Sequence, residues 1–312
     1  MKIPAILSAV ICIAMLTAIS WGEAGDSLTT NTQTIHAIYP GLASGALTYA
    51  TLGDLADNQI LKCGTLVITR NDLEKAMAEI PQNARGEINS NLFFLLEQRA
   101  TDDLLTRLAQ EKPQNAPQDG KAVSAMESVR SYLMGVVADV KVNDAEVAGF
   151  YEENKDMCGG ATLDQVRGQL KQYVLQQKQQ EVVAEHIRTL GQRQPIIVSA
   201  EWVRKHAALA MDNPVDKARR SGKPSLVDFG ADGCRPCDMM APILQNLRVK
   251  YAGKVNIEFV HVREKQVLAA RYGIQSIPVQ ILFDKNGKEA WRHTGFIPQT
   301  EIESRFAELG IR

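Results

Sequence analysis

The 312-residue sequence lacks an excess of either charge, because 35 lysine and arginine residues stand against 36 aspartate and glutamate residues. A formal net charge of −1 provides no overall field that attracts nucleic acid or an anionic membrane. After its first twenty residues the sequence also lacks an apolar run long enough to span a bilayer. With 45% hydrophobic and 23% charged residues, the composition is typical of a globular protein. We therefore expect about two domains and no nucleic-acid partner.

The one long apolar run lies at the start of the chain. Lys2 precedes an apolar stretch from Ile3 to Ile19, and small residues around Ala18 and Ala24 provide cleavage sites. We interpret residues 1–24 as a secretory signal peptide and expect a periplasmic protein. Membrane anchoring by an uncleaved signal is the alternative, because the stretch approaches the length of a membrane span.

The sequence has only five cysteines, and Cys12 is removed with the predicted signal peptide. The four remaining cysteines are Cys63, Cys158, Cys234 and Cys237. An even number of thiols in an oxidising compartment favours disulfide chemistry. The histidines have no metal-ligand spacing, so we expect no metal site. These histidines are His36, His186, His206, His261 and His293.

Polar and small residues after the signal predict a linker over residues 25–61. Residues 62–200 then carry mainly helical patterns. The predicted helices cover residues 71–79, 84–110, 123–138, 143 onward and 162–190. We expect the short apolar runs Leu66–Ile68 and Pro195–Val198 to be strands that pair with each other.

From residue 213 the pattern changes to an alternation of strands and helices, which is typical of an α/β unit. The predicted strands cover residues 225–230, 255–262, 279–283 and 288–294. The predicted helices cover residues 214–220, 235–250, 265–272 and 299–308. The fold class is therefore α+β with several domains: a mainly helical domain over 62–200, a connection over 201–212 and an α/β domain over 213–312.

The strongest chemical signal is Cys234-Arg235-Pro236-Cys237, which follows a predicted strand and opens a helix. The free N–H groups and the positive dipole end of that helix favour the thiolate form of Cys234. Cys237 lies one turn further along and should be more buried. The alternatives are a structural disulfide or half of a zinc site, which would need two more ligands.

The residues around this motif resemble thioredoxins. Leu226–Phe229 leads into the motif, and Met239–Pro242 continues the helix as in that family. Tyr272–Pro278 resembles the segment that ends in the thioredoxin cis-proline, and Gly295 matches the family's glycine beside the active site. The resemblance covers the last third of the chain and implies a central mixed sheet flanked by helices.

The resemblance implies catalytic roles for three residues. Cys234 would attack a substrate disulfide, and Cys237 would resolve the mixed disulfide by thiolate exchange. Asp228 matches the family's buried acid, which helps to move the proton of the second thiol. A strand-end aspartate that faces solvent is the alternative for Asp228.

The resemblance also implies substrate-binding positions. Pro278 would be cis, so that the backbone of Ile277 pairs with the substrate chain beside the two sulfurs. A trans proline that ends a loop is the alternative. Arg235, which replaces a glycine between the cysteines, adds a positive charge beside Cys234.

The sequence departs from thioredoxins at further positions. Gly230 and Gly233 stand where thioredoxins usually have tryptophans, and Phe259 occupies the position of the family's buried lysine. These departures leave the direction of electron flow open, whereas Pro236 and Ile277 favour a reductase.

The helical part resembles the chaperone module of SurA and related periplasmic prolyl isomerases. Gly64–Leu73, Val142–Val147 and Phe150–Lys155 carry this resemblance. In that family an isomerase domain follows the last of these segments, but here only Asp156–Cys158 separates it from Gly159. The parvulin-type domain is thus missing, and prolyl isomerase activity is not implied.

Cys63 and Cys158 flank this helical module and are candidates for a structural disulfide. The bond would close a loop of about 95 residues and stabilise the fold by about 4–5 kcal/mol. Two free thiols are the alternative.

These features predict an exported thiol–disulfide oxidoreductase that reduces protein disulfides and needs no cofactor beyond its own cysteine pair. The alternatives are a disulfide isomerase, which a homodimer would favour, and a chaperone of the holdase type with secondary redox activity. The expected partners are disulfide-containing client proteins and a membrane thiol electron donor of the DsbD type.

Overall fold

The computed structural model describes residues 33–82, 84–111 and 124–312. The predicted signal peptide and residues 25–32 of the predicted linker lie outside the described residues. Across the three described ranges, no helix combines the length and the apolar character that crossing a membrane requires.

The N-terminal domain, residues 33–211, combines helices with one four-stranded sheet. Its helices are α1 (Ile35–Ile38), α2 (Arg70–Glu79), α3 (Arg85–Asn89), α4 (Leu92–Glu111), α5 (Ala125–Val136), α6 (Asp144–Glu153), α7 (Leu163–Arg188), α8 (Leu190–Arg193) and α9 (Ala200–Ala210), with a 3₁₀ turn at Lys155–Cys158. Its strands are β1 (Thr51–Gly53), β2 (Gln59–Cys63), β3 (Leu66–Thr69) and β4 (Ile196–Ser199). The strand order is β1-β4-β2-β3, with β1 parallel to β4 and the other pairs antiparallel.

The predicted linker over residues 25–61 is wrong for its described part. Residues 33–61 contribute α1, β1 and most of β2, and Ile35 and Leu47 are fully buried in the domain core. The segment has no hydrophobic period because several of its core residues are small, such as Ala46 and Ala50. The predicted connection over 201–212 is instead α9, which places Trp202 in the same core.

The predicted pairing of Leu66–Ile68 with Pro195–Val198 is also wrong. Both runs form strands of one sheet, but β2 lies between them and pairs with each. The hairpin from β2 to β3 turns at Gly64, whose φ of +60° suits glycine. The sequence of β2 carries no clear strand pattern, so the pairing of β3 and β4 through it is evident only from the structure.

Helix starts in this domain follow local sequence signals. Asn143 caps α6 as predicted, and its side chain accepts a hydrogen bond from the backbone N–H of Glu146 at 2.9 Å. The single helix predicted over 84–110 is two helices, α3 and α4, interrupted at Ser90 and Asn91.

The C-terminal domain follows the predicted order of elements, with each boundary within one residue of its prediction. The elements are α10 (Pro214–Arg219), β5 (Ser225–Gly230), α11 (Arg235–Lys250), β6 (Asn256–His261), α12 (Gln266–Arg271), β7 (Val279–Phe283), β8 (Glu289–Thr294) and α13 (Gln299–Glu308). The sheet order is β6-β5-β7-β8, and only β6 runs parallel to β5. The expected mixed sheet flanked by helices is confirmed.

Alternation along β5 divides its side chains between the two faces of the sheet. Leu226 belongs to the core beneath α11 and α13, whereas Val227 and Phe229 belong to the core beneath α10 and α12. Asp228 therefore lies on the same face as α11.

A buried cluster around Arg271 joins the two domains. Arg271 Nη1 donates to the carbonyl oxygen of Ala210 at 2.8 Å, and Nη2 donates to that of Gly41 at 2.5 Å. The same Nη2 donates to Asp216 Oδ2 at 3.0 Å. Tyr272 completes the cluster, because its hydroxyl donates to Asp216 Oδ1 at 2.7 Å.

Candidate active site

The candidate site lies at the edge of the C-terminal sheet where β5 ends and α11 begins. Cys234 is the N-cap of α11, and its sulfur accepts a hydrogen bond from the backbone N–H of Cys237 at 3.3 Å. The two residues form a disulfide across Cα atoms 5.2 Å apart. Cys234 is partly exposed and Arg235 is exposed, whereas Cys237 is buried. The predicted helix start and the deeper position of Cys237 are both confirmed.

The loop before β7 brings a second predicted element to the dithiol. The Ile277–Pro278 peptide bond is cis, as predicted. The carbonyl oxygen of Ile277 lies 3.9 Å from the sulfur of Cys234. The N–H of Gly295, which follows β8, donates to the carbonyl oxygen of Pro278 at 2.8 Å. Ile277, Pro278 and Gly295 therefore gather beside Cys234.

Asp228 is fully buried, so the alternative of a solvent-facing aspartate is wrong. Burial raises the pKa of this carboxyl from its ordinary 3.8 to about 6, against smaller lowering effects of a hydrogen bond and of Arg248. Gln280 Nε2 donates that hydrogen bond to Asp228 Oδ1 at 2.6 Å. A buried carboxyl that titrates near neutral pH is suited to exchanging a proton with a thiol.

The position of Gly230 links this acid to the dithiol. A Cβ atom on Gly230 would lie 3.5 Å from Cys237 Sγ and 3.0 Å from Phe259 Cε2. Residues two apart on a strand share a face, so Asp228 points to the same side of β5 as Cys237. The ring of Phe259 therefore occupies space beside Cys237 that a larger side chain in place of Gly230 would need.

Two residues of this site were missed or misjudged in the sequence analysis. Gln280 is an amide within the otherwise apolar strand β7, and that interruption was its only signal. Phe259 does more than replace a lysine, because its ring takes the space above Gly230 while the residue stays 42% exposed.

The N-terminal domain reaches this sheet edge at two places. Glu87 of α3 accepts a hydrogen bond through Oε1 from the backbone N–H of Val267 at 2.9 Å, in the first turn of α12. At the opposite end, a Cβ atom on Gly295 would lie 3.1 Å from Asn154 Oδ1. Gly295 has a φ of +107°, so both its conformation and this close approach favour glycine.

The predicted disulfide between Cys63 and Cys158 is wrong for this structure, in which both residues are free cysteines. Cys63 is fully buried in β2, where Arg107 Nη2 lies 3.5 Å from its sulfur. Cys158 ends the 3₁₀ turn after α6, and its sulfur lies 3.5 Å from the carbonyl oxygen of Asn154. Cys63 lies in the sheet and Cys158 in the turn after α6. Flanking the same helical module in sequence therefore does not pair the two thiols. Within the described ranges there is also no group of three His, Cys, Asp or Glu residues placed to hold a metal ion.

Comparison with known proteins decides the family of the C-terminal domain. The Thioredoxin family model matches residues 205–308. The thioredoxin of Alicyclobacillus acidocaldarius subsp. acidocaldarius is 37% identical over 98 residues, which cover 31% of this chain and 92% of the relative. The chain belongs to the thioredoxin family. The thioredoxin of Haemophilus influenzae is 40% identical over 79 residues, 25% of this chain and 73% of the relative.

The thioredoxin domain is accordingly that of a thiol–disulfide oxidoreductase. A chloroplastic M-type thioredoxin of Pisum sativum is also similar, with 40% identity over 85 residues, 27% of this chain and 49% of the relative. These similarities concern the last third of the chain. The resemblance of the N-terminal domain to SurA stays a prediction.

Proposed function

We propose that this protein reduces disulfides in exported client proteins, with Cys234 as the attacking thiol and Cys237 as the resolving thiol. The observation that carries the proposal is the position of Cys234 as a partly exposed helix N-cap next to the cis Ile277–Pro278 bond. The helix N-terminus stabilises a thiolate at Cys234, and we expect the backbone of Ile277 beside it to pair with an extended substrate chain.

The reaction is two successive thiol–disulfide exchanges. The Cys234 thiolate attacks one sulfur of the substrate disulfide, and the other substrate sulfur leaves with the bonding electron pair and takes up a proton. Cys237 then loses its proton and attacks the sulfur of Cys234, which breaks the mixed disulfide and releases the second substrate thiol. Two protein thiols are oxidised to a disulfide while one substrate disulfide is reduced to two thiols.

Each turnover leaves Cys234 and Cys237 joined, as they are in the structure. A second dithiol must reduce this pair before another turnover. For an exported protein we propose a membrane thiol donor of the DsbD type. The proposed export, the periplasmic location and the cleavage within residues 1–24 rest on the sequence of the apolar start.

For the N-terminal domain we propose a role in holding the client chain. It meets the thioredoxin domain at Val267 and Gly295, at opposite ends of the active-site edge. It also carries a cavity of about 390 Å³ with an apolar wall and a charged rim. The apolar wall includes Ile60, Leu73, Met77, Leu92 and Trp202.

Reduction of insulin in the presence of dithiothreitol tests the redox proposal on the full chain. We expect the protein to accelerate precipitation of the insulin B chain well above free dithiothreitol. The Cys234→Ser variant is the matched control and should show no acceleration. A wild-type rate equal to that of free dithiothreitol would exclude a reductase and leave the holdase alternative, which the cavity favours.

The reduction potential of the Cys234–Cys237 pair separates reductase from isomerase. A value near about −270 mV is typical of thioredoxin, whereas about −180 mV is typical of protein disulfide isomerase. The exposed positive charge of Arg235 beside Cys234 is the feature that favours the higher value. A homodimer in sedimentation experiments, together with a high potential, would support the isomerase.

A further inference from the structure

One row of paired residues crosses the thioredoxin sheet beneath α11. Phe259 of β6 pairs with Asp228 of β5, Asp228 pairs with Gln280 of β7, and Gln280 pairs with His293 of β8. Residues directly opposite each other on neighbouring strands share one face. The row therefore lies on the side from which α11 brings Cys237.

Within this row, Gln280 is the polar neighbour of the buried acid. Both Asp228 and Gln280 are completely buried, and the amide donates to Oδ1 of the carboxylate at 2.6 Å. The neighbour on the other side is Phe259, whose side chain has no hydrogen-bonding atom. The Asp228 carboxyl thus accepts a hydrogen bond from its neighbour on β7, whereas its neighbour on β6 offers only an apolar ring.

Each member of this pair keeps one buried oxygen without a partner among the described residues: Asp228 Oδ2 and Gln280 Oε1. Both atoms are acceptors while the acid is ionised, so neither can serve the other. A buried acceptor without a partner is costly in a protein interior, so the ionised acid has at Oδ2 an unpaired oxygen that can take up a proton.

We propose that Gln280 is the positioning residue for proton transfer at Cys237, because it holds Asp228 through Oδ1 and leaves Oδ2 to carry the proton. This inference rests on the proposed function. In the resolving step the proton of the Cys237 thiol moves to Oδ2 as its sulfur bonds to Cys234. The electron pair of the broken mixed disulfide leaves with the substrate sulfur, and that sulfur takes a proton from solvent.

The other groups that face the acid come from three neighbouring elements. From α11, Arg248 lowers the pKa of Asp228, and Cys237 lies beside Gly230 on the same face of β5. From β8, His293 follows Gln280 in the row, and its Nε2 lies 3.2 Å from the carbonyl oxygen of Phe296. From β6, Phe259 is uncharged. A change at Gln280 removes one hydrogen bond and leaves these charges in place.

The test replaces the amide by an apolar side chain of similar length, Gln280→Met, in the full chain. The ionisation of the Asp228 carboxyl is followed by carbon NMR in the oxidised protein, where Cys237 does not titrate. We expect the midpoint near pH 6 to rise by roughly one pH unit, since the hydrogen bond favours the charged form. Ile281→Val, on the other face of β7, is the matched control and should leave the midpoint unchanged.

Insulin reduction gives the second measurement. If the midpoint rises from about 6 to about 7, the ionised fraction at pH 6.5 falls about threefold, so Gln280→Met should lower the rate about threefold there. The loss should vanish near pH 9, where the acid is ionised in both proteins. In an Asp228→Asn background, Gln280→Met should have no further effect, because a residue that acts through Asp228 has nothing left to position.

An unchanged NMR midpoint in Gln280→Met would overturn the inference, as would a rate loss that is equal at pH 6.5 and pH 9. Gln280→Glu is the second variant, in case the Met variant does not fold. Two facing carboxyls share one proton, so the midpoint should rise here as well, and an unchanged midpoint would again overturn the inference. The NMR titration needs no catalysis, so a wild-type protein without insulin activity would defeat the proposed function separately.

Discussion

Arg271 Nη2 lies 3.0 Å from Asp216 Oδ2, and both side chains are 1% exposed. The same guanidinium also donates to the carbonyl oxygens of Gly41 and Ala210, which belong to the N-terminal domain. A buried charge is tolerated only when it is paired and hydrogen-bonded, so these contacts depend on one another. The cluster therefore ties the stability of the thioredoxin domain to that of the domain before it.

Removing Arg271 should destabilise the whole protein. Arg271→Ala removes the closer of the two arginines that face the buried Asp216 carboxylate, since Arg219 Nη1 lies 3.7 Å from Oδ1, and breaking a buried ion pair typically costs about 3–5 kcal/mol of unfolding free energy. Urea unfolding measures this loss. Arg263→Ala, an exposed arginine of the same domain, is the control and should change stability by less than about 0.5 kcal/mol. Similar losses in both variants would mean that the buried cluster does not join the domains energetically.

Replacing Asp228 by asparagine should stabilise the oxidised protein at alkaline pH. The folded state binds the Asp228 proton more tightly than the unfolded state, because burial raises the pKa from 3.8 to about 6. This contribution is complete below pH 3.8 and is lost as the pH rises through 6. Asp228→Asn should therefore add up to about 3 kcal/mol at pH 8 and little at pH 3.5. Thermal melts at both values check this, and an equal change at both would contradict it.

Alkylation of the reduced protein should distinguish its two active cysteines. Cys234 is partly exposed at a helix N-terminus, and Cys237 is 6% exposed. Iodoacetamide at mildly acidic pH should label Cys234 first, as peptide mass mapping would reveal. Cys237→Ser should trap mixed disulfides with clients, whereas Cys234→Ser should not. Preferential labelling of Cys237 would reverse the assigned roles.

Gly230 and Phe259 should show strong energetic coupling. A Cβ atom on Gly230 would lie 3.0 Å from Phe259 Cε2, so a tryptophan there must displace the ring. Gly230→Trp should destabilise the protein by about 1–3 kcal/mol. The loss should shrink by at least about 0.5 kcal/mol when Phe259→Ala is also present. Strictly additive effects in urea unfolding would show that the two sites do not compete for space.

The free thiols should react at very different rates. Cys158 is partly exposed and Cys63 is fully buried, with no disulfide joining them. Ellman's reagent should therefore modify Cys158 in the native oxidised protein and Cys63 only after unfolding. Cys158→Ser should abolish the native reaction. A protein in which neither cysteine reacts after unfolding would restore the disulfide that the sequence suggested.

The sequence predicted the thioredoxin domain well because its signals are local. β5 and β7 are short, mainly apolar runs, and α11 begins directly at the Cys234–Cys237 motif. The Cys234–Cys237 spacing and Pro278 placed most of the site in the same way. The local sequence pattern does not show which residue of the neighbouring strand pairs with a buried acid. The role of Gln280 is therefore evident only from the β5–β7 register.

The N-terminal domain was predicted less well because its contacts are distant in sequence. β1 pairs with β4, and Thr51 lies opposite Ile197. Neither strand shows an alternation of apolar and polar residues. The sequence of each strand therefore does not indicate its partner at the far end of the domain. The burial of the small residues before β1 likewise depends on residues that are distant in sequence and pack against them.

The position of Cys63 in the chain has a consequence for synthesis. The core that buries Cys63 is built from residues that end at Met211, so all of them precede Cys234. In a polypeptide made from its N-terminus, every residue of that core is available for folding before either reactive cysteine has been made. This order favours burial of Cys63 ahead of the oxidisable pair, whereas Cys158, which lies outside that core and is partly exposed, gains no such protection.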